Sequence, residues 1–376
     1  MLKAFCNKYL LRFYVIKFVK NIYHKTFNSI LNCNYMVLTR NLFKNSEILS
    51  SSNFARYSDI VYSEIILKKD CEVNSDNVFV IYEDNEFCFY KIKSFKLREN
   101  DLIFSNLYMI ESLFEMLKNV TEFKNIKIIT GQSDEKITKK LFSTKPDCVS
   151  AWYSPNIGYR HDKLIPIPLG LANNHPKNLN YDHFLENNEN LKIQNKVYIN
   201  FEDNTNYLRR KKIKNNLKNK SWAVIEKEKL SLREYLSNIK KYQYIISPEG
   251  NGIDTHRIWE SLYAGSIPVV NKNYALESFN IFPIIFVNNL NKITIEKLDE
   301  YKSQLADINL EYFDIKWWIQ KIKSKTIVSD IDSILVTESE KQFENSKSKY
   351  HLKLKKERRI KKLKTLFRKI LRKINY

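Results

Sequence analysis

The stretch from Tyr242 to Val270, YQYIISPEGNGIDTHRIWESLYAGSIPVV, decides how the whole chain is read. The apolar run Tyr244-Ile245-Ile246 stops at Ser247-Pro248. Glu249-Gly250-Asn251-Gly252 follows as a glycine-rich turn. A helix-like segment then runs over 254–264 to Gly265, and a second apolar run covers Ile267 to Val270. This spacing predicts strand, turn, helix and strand in under thirty residues. Gly250 and Gly252 let backbone approach a ligand closely. Asp254 or Thr255 can cap the helix, whose first-turn N–H groups form an anion site. The turn is neither a Walker A loop nor a GxGxxG fingerprint.

Two charged residues follow in the helix. Arg257 falls in the first turn, where a cation opposes the helix dipole, so it is easier to explain beside an anion. Glu260 lies one turn on and shares its face. A carboxylate there can accept both hydroxyls of a ribose. The plain structural alternative is an Arg257–Glu260 surface pair, worth little. Ile258, Leu262 and Ala264 read as core, Gly265 as a C-cap and Pro268 as the start of a strand.

Outward from this stretch, strands are expected at 197–201, 222–225, 242–247, 267–270 and 283–287, with helices at 206–219, 230–240, 254–264, 292–306 and 310–324. That rhythm predicts a parallel, doubly wound sheet. Trp317 and Trp318 read as packing residues. Upstream, strands are expected at 77–82, 87–92, 126–130 and 148–153, and the apolar stripe across 102–117 reads as a helix. Residues 46–76 read as a polar, mixed lead-in to the first domain, and Ile165 to Gly170 as extended, proline-fixed chain. The fold class is therefore α/β. The expected divisions are a basic N-terminal helical segment (1–45), a first domain (46–190), a second domain (191–340) and a basic tail (341–376).

The net charge of +21 over 376 residues is concentrated at the ends. Residues 1–50 carry +7 and residues 341–376 carry +13, which leaves +1 for the body. A nucleic-acid groove needs cations in the body itself, so no nucleic-acid partner is expected. In the tail, Ile360, Leu363, Phe367, Ile370 and Ile374 recur at helical spacing among Lys and Arg. A basic amphipathic helix on an anionic membrane surface fits both features. A short coiled coil and a nucleic-acid-binding or disordered tail remain alternatives. The N-terminal segment reads either as a helix packed on the body or as a second membrane contact. No run of 18 apolar residues indicates a spanning helix, and the expected location is cytoplasmic and peripheral to a membrane. Five cysteines without CxxC spacing argue against a disulfide framework or zinc site.

SPEGNGIDTHRIWESLYAGSIPVV resembles the nucleotide-sugar segment of exostosin-like glycosyltransferases, in a branch patterned SPxGNGxDxHRxWExLxxGxIPV. Trp152, Asn156 and the run Ile165-Pro166-Ile167-Pro168-Leu169-Gly170-Leu171-Ala172-Asn173 resemble that branch's W…N…IPIGLAN. Tyr198-Ile199-Asn200-Phe201 with Thr205 and Arg209 is similar to its YxNFxxxTxxxR. The resemblance covers roughly residues 120–275. It implies a GT-B fold of two Rossmann-like domains, the first for the acceptor and the second for the nucleotide-sugar. It also implies that Arg257 faces the diphosphate, that Glu260 faces the ribose, and that Glu249, Gly250, Asn251 and Asp254 line the donor turn. Arg209 is a second phosphate candidate, or else a solvated helix residue.

A leaving nucleotide diphosphate can be stabilised by Arg257 and the helix N-terminus without a strict need for a metal. Asp330-Ile331-Asp332 has the letters of a DxD triplet but lies near the tail. An acceptor hydroxyl needs a base, for which Asp134 is the leading candidate and His161 the alternative. Relatives carry His and Asn near this Asp, whereas this chain has Gly131-Gln132-Ser133. The expected function is sugar transfer from a nucleotide-sugar to a cell-surface or lipid-linked glycan. The alternative is a non-catalytic peripheral membrane protein that keeps a decayed transferase fold.

Overall fold

A computed structural model describes residues 47–71, 76–172, 178–185, 192–305 and 307–374. The segment 1–45, and residues 173–177 and 186–191 around the expected division between the two domains, lie outside the described residues. The chain is a mixed α/β protein with two sheets rich in parallel strands.

The seven-stranded sheet has the order β2-β3-β1-β5-β6-β7-β8. Its strands are β1 (Ile60–Leu67), β2 (Val78–Glu83), β3 (Phe87–Ile92), β5 (Leu102–Asn106), β6 (Ile126–Gly131), β7 (Val149–Ser154) and β8 (Leu164–Pro166). The run from β1 through β5, β6 and β7 to β8 is parallel, and β3 joins β1 and β2 antiparallel. β6 is buried along its length, which is why its sequence, IKIITG, carries no polar alternation. Helices α1 (Ser51–Arg56), α2 (Ile110–Leu117), α3 (Lys139–Phe142) and α4 (Tyr181–Leu185) accompany this half.

The five-stranded sheet is parallel throughout, in the order β10-β9-β11-β12-β13. It is built from β9 (Gln194–Ile199), β10 (Ala223–Ile225), β11 (Tyr242–Ile246), β12 (Ile267–Asn271) and β13 (Ile285–Val287). Helices α5 (Tyr207–Leu217), α6 (Leu232–Lys241), α7 (His256–Tyr263), α8 (Ile295–Ser303) and α9 (Ile315–Lys323) connect or follow these strands. β11 is covered on both faces, since Tyr244 and Ile246 enter one hydrophobic cluster and Tyr242 and Ile245 the other. The direction of winding reverses between β9 and β11. Such a switch point opens a crevice at the carboxyl ends of the strands.

The end of the chain returns to the first half. β4 (Ser94–Leu97) pairs antiparallel with β14 (Ile334–Thr337). Helix α10 (Glu340–Ile374) then starts beside α2. At this junction Lys91 and Glu338 form an ion pair with both side chains fully buried. Lys91 also donates to Ser346 Oγ at 2.6 Å. Among the described residues no helix is long and apolar enough to cross a membrane.

Several expectations need correction. Leu102–Asn106 is strand β5 rather than the start of a helix, because all five residues are buried inside the sheet. Ile60–Leu67, placed in a polar lead-in, is a sheet strand. Between β6 and β7 the chain forms the four-residue helix α3. Cys71 and Cys88 form a disulfide, against the reading of scattered cysteines. The register explains it: Leu67 on β1 faces Phe87 on β3, which brings the two cysteines together across 17 residues of sequence. Trp318 packs parallel to Phe282 at 6.4 Å, as a packing residue should.

Candidate functional site

The Ser247–Gly265 motif sits where the sheet reverses. β11 ends at Ile246, and the turn carries Glu249, Gly250 and Asn251 before α7 begins. The Gly250 N–H donates to the Gly252 carbonyl at 3.0 Å, which closes the turn. Gly252 is required sterically: a Cβ there would lie 2.9 Å from both Nδ2 and Oδ1 of Asn156. The closeness that this glycine permits serves a protein side chain rather than a ligand. Asn156 accepts from the N–H of Ile253 at 2.8 Å and of Asp254 at 3.3 Å. One amide from the loop after β7 thus clamps the start of the motif.

Helix α7 has an open start and a closed end. Thr255 occupies the N-cap position but makes no capping hydrogen bond, and its Oγ1 is buried without a partner. At the other end the N–H of Ser266 bonds the carbonyl of Ser261, and that of Gly265 the carbonyl of Leu262. With Gly265 at φ +80 this is a Schellman motif. The expected role of Gly265 is as written in the sequence. Asp254, however, does not cap the helix. Its carboxylate is 2% exposed and accepts from the Leu169 N–H at 2.8 Å and the Trp259 Nε1–H at 2.9 Å. Burial pushes its pKa up to about 7, against the opposing pull of these hydrogen bonds. Asp254 therefore ties the motif to the Ile165–Gly170 segment, as does His256, whose Nδ1 lies 2.7 Å from the Gly170 carbonyl oxygen.

Arg257 and Glu260 do not pair with each other directly. Tyr235, from α6, stands between them. Arg257 Nη1 donates to the Tyr235 hydroxyl at 2.8 Å, and that hydroxyl donates to Glu260 Oε2 at 2.7 Å. The guanidinium also lies over the Tyr235 ring, 5.5 Å from its centre. Burial drives the Tyr235 pKa well above its ordinary value, so the phenol stays a neutral donor. Among the described residues no carboxylate forms an ion pair with Arg257.

A second guanidinium converges on the same turn. Arg210, on α5, is 7% exposed and donates to the carbonyls of Glu202 at 2.7 Å, Glu249 at 3.2 Å and Pro248 at 3.3 Å. Burial first, then the like charge of Arg257, pulls its pKa down to about 10. It remains charged at neutral pH. The neighbouring Arg209 is exposed and pairs with Glu249 at 3.0 Å. Glu249 also accepts from Asn273 Nδ2 at 3.1 Å. Two arginines, an uncapped helix start and a buried unpartnered hydroxyl thus surround one turn. Arg210 spends its N–H groups on backbone carbonyls and Arg209 is paired with Glu249, so the helix start and Arg257 are the groups of this turn that can meet an anion.

The first half reaches the motif through the loop after β6. Asp134 is exposed and accepts from Asn251 Nδ2 at 3.1 Å. The loop is held by Gln132, a non-glycine residue at φ +56. Its side-chain amide pairs with β1 as a neighbouring strand would, accepting from the Ile65 N–H at 2.7 Å and donating to the Ile65 carbonyl at 2.9 Å. His161 lies elsewhere. It is exposed, its ring packs on Phe142 at 4.5 Å, and its Nδ1 accepts from the Lys163 N–H. The structure thus brings Asp134 to the motif and keeps His161 against α3.

Tyr235, Arg210 and Gln132 carry no local signal that marks them in sequence. Arg210 has one indirect sign, a cation beside Arg209 on the inward side of a helix that follows a sheet strand. No protein-family model matches this chain, and no curated protein matches it.

Proposed function

We propose that this chain is a glycosyltransferase that takes a sugar from a nucleotide-sugar and gives it to a glycan or lipid-linked acceptor. The observation that carries the reading is the pairing of Arg257 with Arg210 at an uncapped helix start, on the crevice side of a reversing parallel sheet. A diphosphate placed there relieves the repulsion between the guanidiniums and satisfies the start of α7. Glu260, oriented by Tyr235, accepts from the ribose hydroxyls. The two sheets then act as the two halves of a GT-B enzyme, with the acceptor on the seven-stranded side.

In this mechanism the bond between the sugar C1 and the phosphate oxygen breaks. Its electrons go to the nucleotide diphosphate, whose charge Arg257 and the α7 N-terminus stabilise as it develops. Asp134 takes the acceptor hydroxyl's proton as the new glycosidic bond forms. The Gln132 clamp supports a built loop rather than a decayed one. The basic α10 tail, with Leu352, Ile360 and Leu363 exposed, suits an anionic membrane surface.

The test is nucleotide release from a panel of nucleotide-sugars. Release with at least one donor is expected, with a loss of about 100-fold or more in kcat for Arg257→Ala. Full activity in that variant would sink the site assignment. A nucleotide-induced thermal shift without turnover on any acceptor would favour the non-catalytic alternative.

A further inference from the structure

We propose that a cavity of about 430 Å³ between α2 and α10 is the acceptor site, and that it takes a neutral or amino saccharide. The inference rests on the glycosyl-transfer reading and adds the place and chemical class of the second substrate. The cavity lies at the carboxyl end of β5, where the chain passes through Leu107, Tyr108 and Met109 into α2. Ligands of open α/β sheets collect at that edge. Its volume falls in the range of small-molecule sites.

One wall is α2, which contributes Glu111, Ser112 and Glu115. The facing wall is α10, with Gln342, Asn345 and Lys349. Glu135 also lines the cavity. It follows Asp134, whose carboxylate reaches Asn251, so cavity and donor motif share one loop. The α10 wall is fixed in place. Lys353 forms an ion pair with Glu135 and lies 4.4 Å from the centre of the Tyr108 ring. The Tyr350 ring meets those of Phe89 at 5.0 Å and Tyr108 at 5.8 Å.

The lining chemistry selects the ligand. Leu141 and the Tyr108 ring are partly exposed in the lining and offer an apolar surface to the C–H face of a sugar ring, with Leu107 and Ile110 buried behind them. The carboxylates accept from hydroxyls, and the amides of Gln342 and Asn345 both donate and accept. Lys353 is engaged by Glu135, so Glu111 and Glu115 face Lys349 as the remaining charges on the rim. This excess of carboxylate disfavours acidic sugars and tolerates an ammonium group.

Saturation-transfer NMR without any nucleotide tests the inference, using chitosan trimer, chitotriose, cellotriose and sialyllactose as probes. At least one of the first three should bind the full chain, and sialyllactose should not. Asn345→Trp, at an exposed helix position, should fill the cavity and abolish the signal. Glu115→Ala should weaken binding by about threefold or more. Absence of binding by all three probes, equal binding of sialyllactose, or signals unchanged in both variants would overturn it. The thermal shift given by nucleoside diphosphates should be the same in wild type and both variants. Its absence in wild type would count against the donor reading instead.

Discussion

Tyr235 fixes the relation between the two charged residues that the motif makes conspicuous. Its hydroxyl accepts from Arg257 and donates to Glu260, and among the described residues no other group bonds both. Tyr235→Phe should keep the fold, leave both charges without their shared partner, and lower donor turnover by about tenfold to 100-fold. Steady-state kinetics on the preferred donor checks this. The Arg257–Glu260 spacing was legible in sequence, but the group between them arrives from another helix, and no local pattern encodes that meeting. Asp254 makes a different prediction. Its folded pKa is raised by burial to about 7, above the ordinary carboxylate value of 3.8. The folded state therefore binds the extra proton between those values, and the contribution of this group to stability is lost as pH rises from about 4 to 7. Thermal unfolding of Asp254→Asn should show a flatter decline over that window than wild type, by on the order of 2 kcal/mol.

The strand–turn–helix–strand unit owes its shape to two glycines with different tasks. Gly265 supplies the left-handed residue that ends α7, and this was legible because the Schellman signal is local. Gly252 makes room for Asn156, more than ninety residues earlier in the chain, and only the fold reveals that. Gly252→Ala should push Asn156 from the backbone N–H groups of Ile253 and Asp254 and destabilise the protein by about 1–3 kcal/mol. A denaturant midpoint shift without a change in slope is the expected result. The alternation of strands and helices in the second half could be read because its apolar runs are short and separated by polar helices. β5 could not be read that way. Leu102–Asn106 is buried on both faces and continues without a break toward α2, so a single apolar run hides a strand and a helix. β4 and β14 are four residues each, and their pairing spans most of the chain.

Across the described residues, the last strand and helix fasten the end of the chain to its first half. Lys91 and Glu338 meet with no exposed side-chain surface; the ammonium donates to Glu338 Oε1, Ser112 and Ser346, while Glu338 Oε2 is buried without a hydrogen bond of its own. Glu338→Ala would leave the lysine charge buried alone and should cost about 3–5 kcal/mol, read by chemical denaturation. The near-neutral body and basic ends were plain from the charge distribution, which turns attention from nucleic acid to the turn after β11 at the switch point of the five-stranded sheet. The proposed chemistry requires an anion site at that turn. Calorimetric titration of the full chain with UDP, GDP, CDP and ADP tests it most directly. At least one should bind, and Arg257→Ala should weaken that binding by about tenfold or more. Binding by none of them, or equal affinity in Arg257→Ala, would contradict it.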